Sequence, residues 1–277
     1  MKILVIAHPY DPLAYSVATA FHQSFLSIGH ESTLAPQYEF GYDICLVMYA
    51  HVQYNFPRDN TYKIAYNWED VHNPMWRKRV HRALGQFNCI FEMSKENLKV
   101  DLPIKRLHCP MGYHPSFEIS YVAGSRQNVA LIGYVPWKSY RHKMVETIEQ
   151  KLGSKVWCVR TKDRWANANN QHLNQIIFNT SIQLNIHRNP KYRMFEAIRV
   201  IAQELSNKCF IVSEPSVDSP LMNGQHYVET DRFADTIGFY LEHPEECSKI
   251  AQCGYDFIKS SYRLKDHLAN CLKQIGI

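Results

Sequence analysis

The chain has 277 residues, enough for one large domain or two compact ones. Its composition, 45% hydrophobic and 13% aromatic with 11 Gly and 13 Pro in no repeating order, excludes disorder as the main state and excludes collagen-like or low-complexity architecture. The net charge of +5, with 14 histidines counted as neutral, is mildly basic and suits a phosphorylated small molecule or a nucleic acid.

Lys2–Ala7 is a nearly continuous apolar run, as a central parallel strand requires. Ala14–Ile28 then sets Val17, Phe21, Phe25 and Ile28 at helical spacing and stops at Gly29. Strands are expected at Glu31–Leu34, Ile44–Ala50, Lys63–Tyr66, Cys89–Met93 and Lys105–Cys109, with a helix over Met75–Leu84. The segment Pro110–Asn128 carries turn residues and reads as a crossover between domains. A second alternation follows: strand Val129–Ile132 ended by Gly133, helix Lys138–Leu152, strands Lys155–Val159 and Ser181–Ile186, helix Arg193–Leu205, strands Cys209–Ser213 and His226–Val228. Helices Arg232–Leu241, Pro244–Lys259 and Leu264–Gln274 finish the pattern. The expected fold is α/β, two Rossmann-like parallel-sheet domains facing across a cleft, with C-terminal helices. The expected division is 1–112 and 113–277, the helical tail belonging to the second domain.

The longest apolar runs, such as Ile44–Ala50, are far below the roughly 20 residues that span a bilayer, and the N-terminus is too short in apolar residues for a signal peptide. The eight cysteines show no CxxC spacing, which argues against a zinc ribbon or a dithiol redox motif. They read as reduced core residues, so a cytoplasmic location is expected.

Open parallel sheets bind ligands at the carboxyl ends of their strands. The candidates there are His8, Asp11, His51, Glu69, Asp70, Gly112, Gly133, His187, Arg188 and Glu214. In Leu131-Ile132-Gly133-Tyr134, a glycine at a strand end admits a ligand close to the backbone. Tyr140, Arg141 and Lys143 follow at the next helix start, where a helix N-terminus with Arg and Lys can cradle a diphosphate. The same residues would also serve as a glycine turn and a solvated basic helix face. No GxGxxG and no P-loop is present. Further on, His187, Arg188, Lys191 and Arg193 crowd the turn before Glu196. A carboxylate in a first helical turn offsets the helix dipole, but it can also accept both hydroxyls of a ribose.

Asn185–Glu196, followed by Cys209-Phe210-Ile211-Val212-Ser213-Glu214, resembles the nucleotide-sugar site of GT-B glycosyltransferases, closest to the spore-maturation-protein type of the group 1 enzymes. Tyr227, Glu229, Asp231 and Ile250-Ala251-x-x-Gly254-x-x-x-Ile258 fit the same pattern, as does Leu131-Ile132-Gly133 with Arg141. The likeness covers about 103–275; the first half shares only the strand–helix rhythm. It implies a glycosyltransferase moving a hexose from a nucleotide sugar, such as UDP-glucose, to an acceptor hydroxyl. It implies that Glu196 binds the ribose and that Gly133, Arg141 and Arg193 flank the diphosphate. Lys143, His187 and Arg188 complete the expected donor set. Many group 1 enzymes carry a second Glu eight residues before the first, and here that position is Arg188.

No DxD motif is present, and neither a metal nor a cofactor is expected. His51 and Asp70 are the candidate bases for the acceptor hydroxyl. The acceptor is open, with DNA among the candidates: Trp76-Arg77-Lys78-Arg79-Val80-His81-Arg82 is a basic run beside an aromatic, although a solvated helix face also accounts for it. Alternative readings are a nucleic-acid-binding protein or a DNA-base-modifying glycosyltransferase. Ala7-His8-Pro9-Tyr10-Asp11 also resembles the start of zinc deacetylases and of flavodoxin-like quinone reductases, without the acidic pair of the former or the flavin loop of the latter.

Overall fold

In a computed structural model the described residues are 1–8, 10–119, 128–133, 135–153, 156–160 and 176–276. They form two compact units, Met1–Ser116 with Arg263–Ile277, and Phe117–Tyr262. Tyr134, Lys155 and residues 120–127 of the expected crossover lie outside the described residues.

The first unit holds β1 (Lys2–Ile6), β2 (Glu31–Ala35), β3 (Ile44–Val47), β4 (Tyr62–Asn67), β5 (Cys89–Glu92) and β6 (Lys105–His108). They form one parallel sheet in the order β2-β1-β3-β4-β5-β6. Leu4, Val5, Cys45, Leu46, Ile64, Ala65, Ile90 and Phe91 are all sealed from solvent, because both faces are covered. Helix α1 (Pro12–Ser27) starts with Asp11, whose carboxylate accepts the Ala14 N–H at 3.0 Å, and with Pro12 in the first turn. Helix α2 (Pro74–Ala83) starts the same way, Asn73 accepting the Met75 N–H at 3.0 Å.

The second unit holds β7 (Asn128–Gly133), β8 (Trp157–Arg160), β9 (Thr180–Asn185), β10 (Phe210–Ser213) and β11 (Val228–Glu229). These strands are parallel too, in the order β11-β10-β9-β7-β8. Leu131, Ile182, Leu184, Phe210 and Val212 pack against Val145 and Ile148 of α3 (Tyr140–Leu152), Ile237 of α4 (Phe233–Glu242) and Ile250 of α5 (Pro244–Ser261). Gly254 of α5 sits where a Cβ would lie 2.6 Å from the His226 carbonyl oxygen, so only glycine lets the helix come this close.

Two expectations change. The last helix, α6 (Leu264–Gln274), belongs to the first unit, where it packs on α1. Periodicity gave its apolar stripe but could not say which sheet that stripe covers. The expected helix Arg193–Leu205 does not begin at Arg193. The Arg193 carbonyl accepts the Val217 N–H at 2.9 Å and Met194 bridges Val217, so this backbone is spent sideways. The helix starts only at Ile198 and runs to Glu204 as a π-helical turn, a form found often at functional sites.

Candidate functional site

The second sheet reverses its order between β7 and β9, and the crevice at such a switch point is where open α/β sheets bind ligands. β7 ends at Gly133 and β9 at Asn185. After β7 the chain enters α3, where the Ser139 side chain caps the helix by accepting the His142 N–H at 3.2 Å. That cap sets Arg141 in the first turn, only 4% exposed. Its Nε donates to the Ile186 carbonyl at 2.7 Å and its Nη2 to Glu196 Oε1 at 2.6 Å.

Arg199, in the π-helical turn, approaches the same carboxylate from the other side. Its Nη2 lies 2.9 Å from Glu196 Oε2 and also donates to Asn185 Oδ1, while Nη1 donates to the Ile132 carbonyl at 2.9 Å. Glu196 is thus bracketed by two guanidiniums, its side chain 29% exposed. Burial raises its pKa, but Arg199 and Arg141 outweigh this and hold the carboxyl below its usual range. It is an anion at neutral pH, with lone pairs left to accept hydroxyls.

Gly133 is needed here. Its φ is +156°, and a Cβ would lie 3.0 Å from Arg199 Nη1 and 3.2 Å from Arg141 Nη1. Both guanidiniums are pinned by carbonyls, so neither can yield freely. Gly133→Ala is expected to cost about 1–3 kcal/mol through overpacking; a melting curve checks this.

Glu214, just past β10, is buried; it accepts the His187 N–H at 2.6 Å and the Tyr140 hydroxyl. The His187 Nε2 lies 3.2 Å from the Pro215 carbonyl, and burial lowers its pKa against the pull of Glu196 and Glu214. Of the expected donor residues, Gly133, Arg141, His187 and Glu196 come together. Arg188 and Arg193 are exposed on the turn, with Arg193 Nε donating to Pro190 O at 3.2 Å. Lys143 is exposed and joins no ion pair among the described residues. Arg199 and Asn185 were not among the expected site residues, and Glu214 was expected at a strand end but not in the donor set. Arg199 has a sequence signal, its spacing of three residues from Glu196; the other two are set by strand register alone.

In the first unit the order reverses between β1 and β3. Past these ends stands a row of half-buried rings. Trp68 meets Tyr49 at 4.8 Å, Tyr49 meets His51 at 5.2 Å, and His51 meets Trp76 at 4.9 Å, with Arg79 over the Trp76 ring. The Tyr49 hydroxyl donates to Asp11. Burial first, and then Arg79, hold the His51 imidazole below its usual range, so it is neutral and can accept a proton. Asp70 instead builds its own turn, accepting the His72 N–H at 2.8 Å. His8 is exposed against Tyr10. Among the described residues no three His, Cys, Asp or Glu side chains group to hold a metal ion, and no helix is long and apolar enough to cross a membrane.

Residues 138–273 match the family described as glycosyl transferase-like. No curated protein matches the sequence. Among solved structures, an α-glucosyltransferase in complex with UDP and a 13-mer DNA containing an HMU base is similar at 10% identity and TM-score 0.65, covering 100% of both chains. Anabaena HepE in complex with UDP-glucose is similar at 8% identity and TM-score 0.63, covering 100% of this chain and 99% of that one. AviGT4, a glycosyltransferase involved in avilamycin A biosynthesis, is similar at 10% identity and TM-score 0.59, covering 99% and 96%. These likenesses establish the fold as GT-B.

Proposed function

We propose that this GT-B chain is a glycosyltransferase of the spore-maturation-protein type that moves a hexose from a nucleotide sugar, UDP-glucose foremost, to an acceptor hydroxyl. The observation that carries the reading is the Glu196 carboxylate held between Arg141 and Arg199 at the switch point beside Gly133. Glu196 accepts the ribose hydroxyls. Arg141, Arg199 and the α3 N-terminus take the charge that grows on the leaving diphosphate, so the proposal needs no metal. For the acceptor the first unit offers His51, neutral and flanked by rings, as the proton acceptor of an inverting reaction. The free cysteines of the described residues, nearly all buried, suit a cytoplasmic setting.

A thermal-shift series with UDP, GDP, ADP, NAD and FMN tests the reading. A ligand at one hundred times its dissociation constant adds about 2.7 kcal/mol of stability. A shift with a nucleoside diphosphate, and glucose released from UDP-glucose, are the expected results; stabilisation by FMN alone would point to the reductase.

A second reading of the acceptor, a DNA base, is favoured by α2. Arg77, Lys78, Arg79 and Arg82 are all exposed on this short helix beside Trp76, the pairing of cations and a stacking ring that nucleic acid needs. Replacing Arg77, Lys78 and Arg82 by Ala should weaken oligonucleotide binding and reduce its logarithmic salt slope by about two to three, with the UDP shift unchanged. Equal binding by the variant and the parent protein would remove α2 as a DNA-binding surface.

A further inference from the structure

Behind Glu196 lies a second carboxyl that the donor site as described does not use. Glu204 closes the π-helical turn and is fully buried. Among the described residues neither of its carboxyl oxygens has a hydrogen-bond partner, and its backbone carbonyl is tied down by the Cys209 N–H at 3.1 Å. Arg199 Nε, likewise without a hydrogen-bond partner, stands 3.9 Å from Glu204 Oε1. The opposite edge of that guanidinium is committed to Glu196, Asn185 and Ile132. One arginine therefore lies between the half-buried carboxylate of the site and a sealed one.

A buried anion without hydrogen bonds is costly. The charges acting on Glu204 are Arg199, which favours the anion, and Glu196, which opposes it. Burial dominates, and the carboxyl is pushed up to about 7. Its charge therefore changes across the neutral range.

We propose that Glu204 is a positioning residue for nucleotide-sugar binding, acting through Arg199 on Glu196. The proposal rests on the donor reading of Glu196. With Glu204 protonated, Arg141 and Arg199 face the single carboxylate of Glu196 and leave one net positive charge for the diphosphate. With Glu204 ionised, that surplus is cancelled. Donor affinity therefore falls as pH rises through the Glu204 titration, and by reciprocity donor binding takes up a proton there. Glu204 also binds its proton more tightly folded than unfolded, so its contribution to stability declines as pH rises from the ordinary carboxyl range and is lost by the time pH passes about 7. His187, the other titrating group near Glu196, has its pKa lowered and changes charge on the acid side of that window.

The test is calorimetric titration of UDP-glucose, whose diphosphate keeps its charge from about pH 6.5 to about 8.5. The parent protein should lose about three- to tenfold in affinity across that range, the effect of one charge at moderate distance. Glu204→Gln should give a flat profile. A Glu204→Gln slope equal to the parent's overturns the proposal. Should that variant fail to fold, the parent protein decides the matter in two buffers of different ionisation enthalpy: proton uptake at pH 7 supports the proposal, and its absence overturns it. Glu196→Gln separates the two levels. If it binds UDP-glucose like the parent, the donor reading fails; if it loses binding at every pH while the Glu204→Gln slope persists, only the role of Glu204 fails.

Discussion

Glu196→Gln is expected to weaken UDP-glucose binding by about tenfold to a hundredfold and to leave pyrophosphate binding undiminished. The two ligands divide the roles. A hydrogen bond to a charged group contributes about 1.5–3 kcal/mol, and about 1.4 kcal/mol is a factor of ten, so loss of one charged ribose hydroxyl contact, with the glutamine oxygen keeping the other, predicts the larger figure. Removing the carboxylate also leaves Arg141 and Arg199 without their shared anion. That extra positive charge favours a diphosphate and offsets part of the loss, which predicts the smaller figure. Pyrophosphate has no ribose and feels only the gain. Stability should fall by about 1–3 kcal/mol, below the roughly 3–5 kcal/mol of a fully buried pair, because water reaches the carboxylate. Titrations with both ligands check the split; equal weakening of both would take Glu196 away from the ribose.

Asn97→Leu is expected to cost about 2–4 kcal/mol, through donors and acceptors left buried without partners, and to lower the melting temperature by roughly 5–15 °C. Asn97 is sealed from solvent and joins three pieces of the first unit. Its Nδ2 donates to Glu92 Oε2 at 2.8 Å and to the Glu69 carbonyl at 2.9 Å, and its Oδ1 accepts the Val71 N–H at 3.1 Å. Glu92, itself sealed, has one other asparagine, Asn67, at 2.8 Å, with Arg106 3.7 Å away. Leucine satisfies none of these groups. The stretch from Asn67 to Val71 carries Trp68 of the ring row, so the loss should change tryptophan fluorescence as well. Donor affinity, which the proposed function assigns to residues of the second unit, should hold. A melting curve and a UDP-glucose titration on the same variant check both expectations.

Most strands were legible because parallel strands covered on both faces are unbroken apolar runs, as at Ile44-Cys45-Leu46-Val47 and Phe210-Ile211-Val212. Gly133 and Arg141 were legible because strand ends and helix starts have local signatures, whereas Glu196, which precedes its helix, was singled out by the resemblance of its motif. The start of the π-helical turn was not, since Val217, which draws Met194 sideways, is over twenty residues further along. Tyr49 and Trp68 were passed over for a similar reason: each looks like core until the order of β3 and β4 sets them side by side. Glu204 could not be told from an ordinary helical glutamate, because burial is a property of the finished packing.

The return of α6 to the first unit bears on how the protein is made. Its Cys271 thiol donates to the His108 carbonyl at 3.3 Å, and the Leu264 N–H donates to the Tyr113 carbonyl at 3.0 Å. Cys271 and His108 leave the ribosome 163 residues apart, with the whole second unit synthesised between them. During translation the second unit can therefore close first, while the flank of α1 that α6 later covers stays bare.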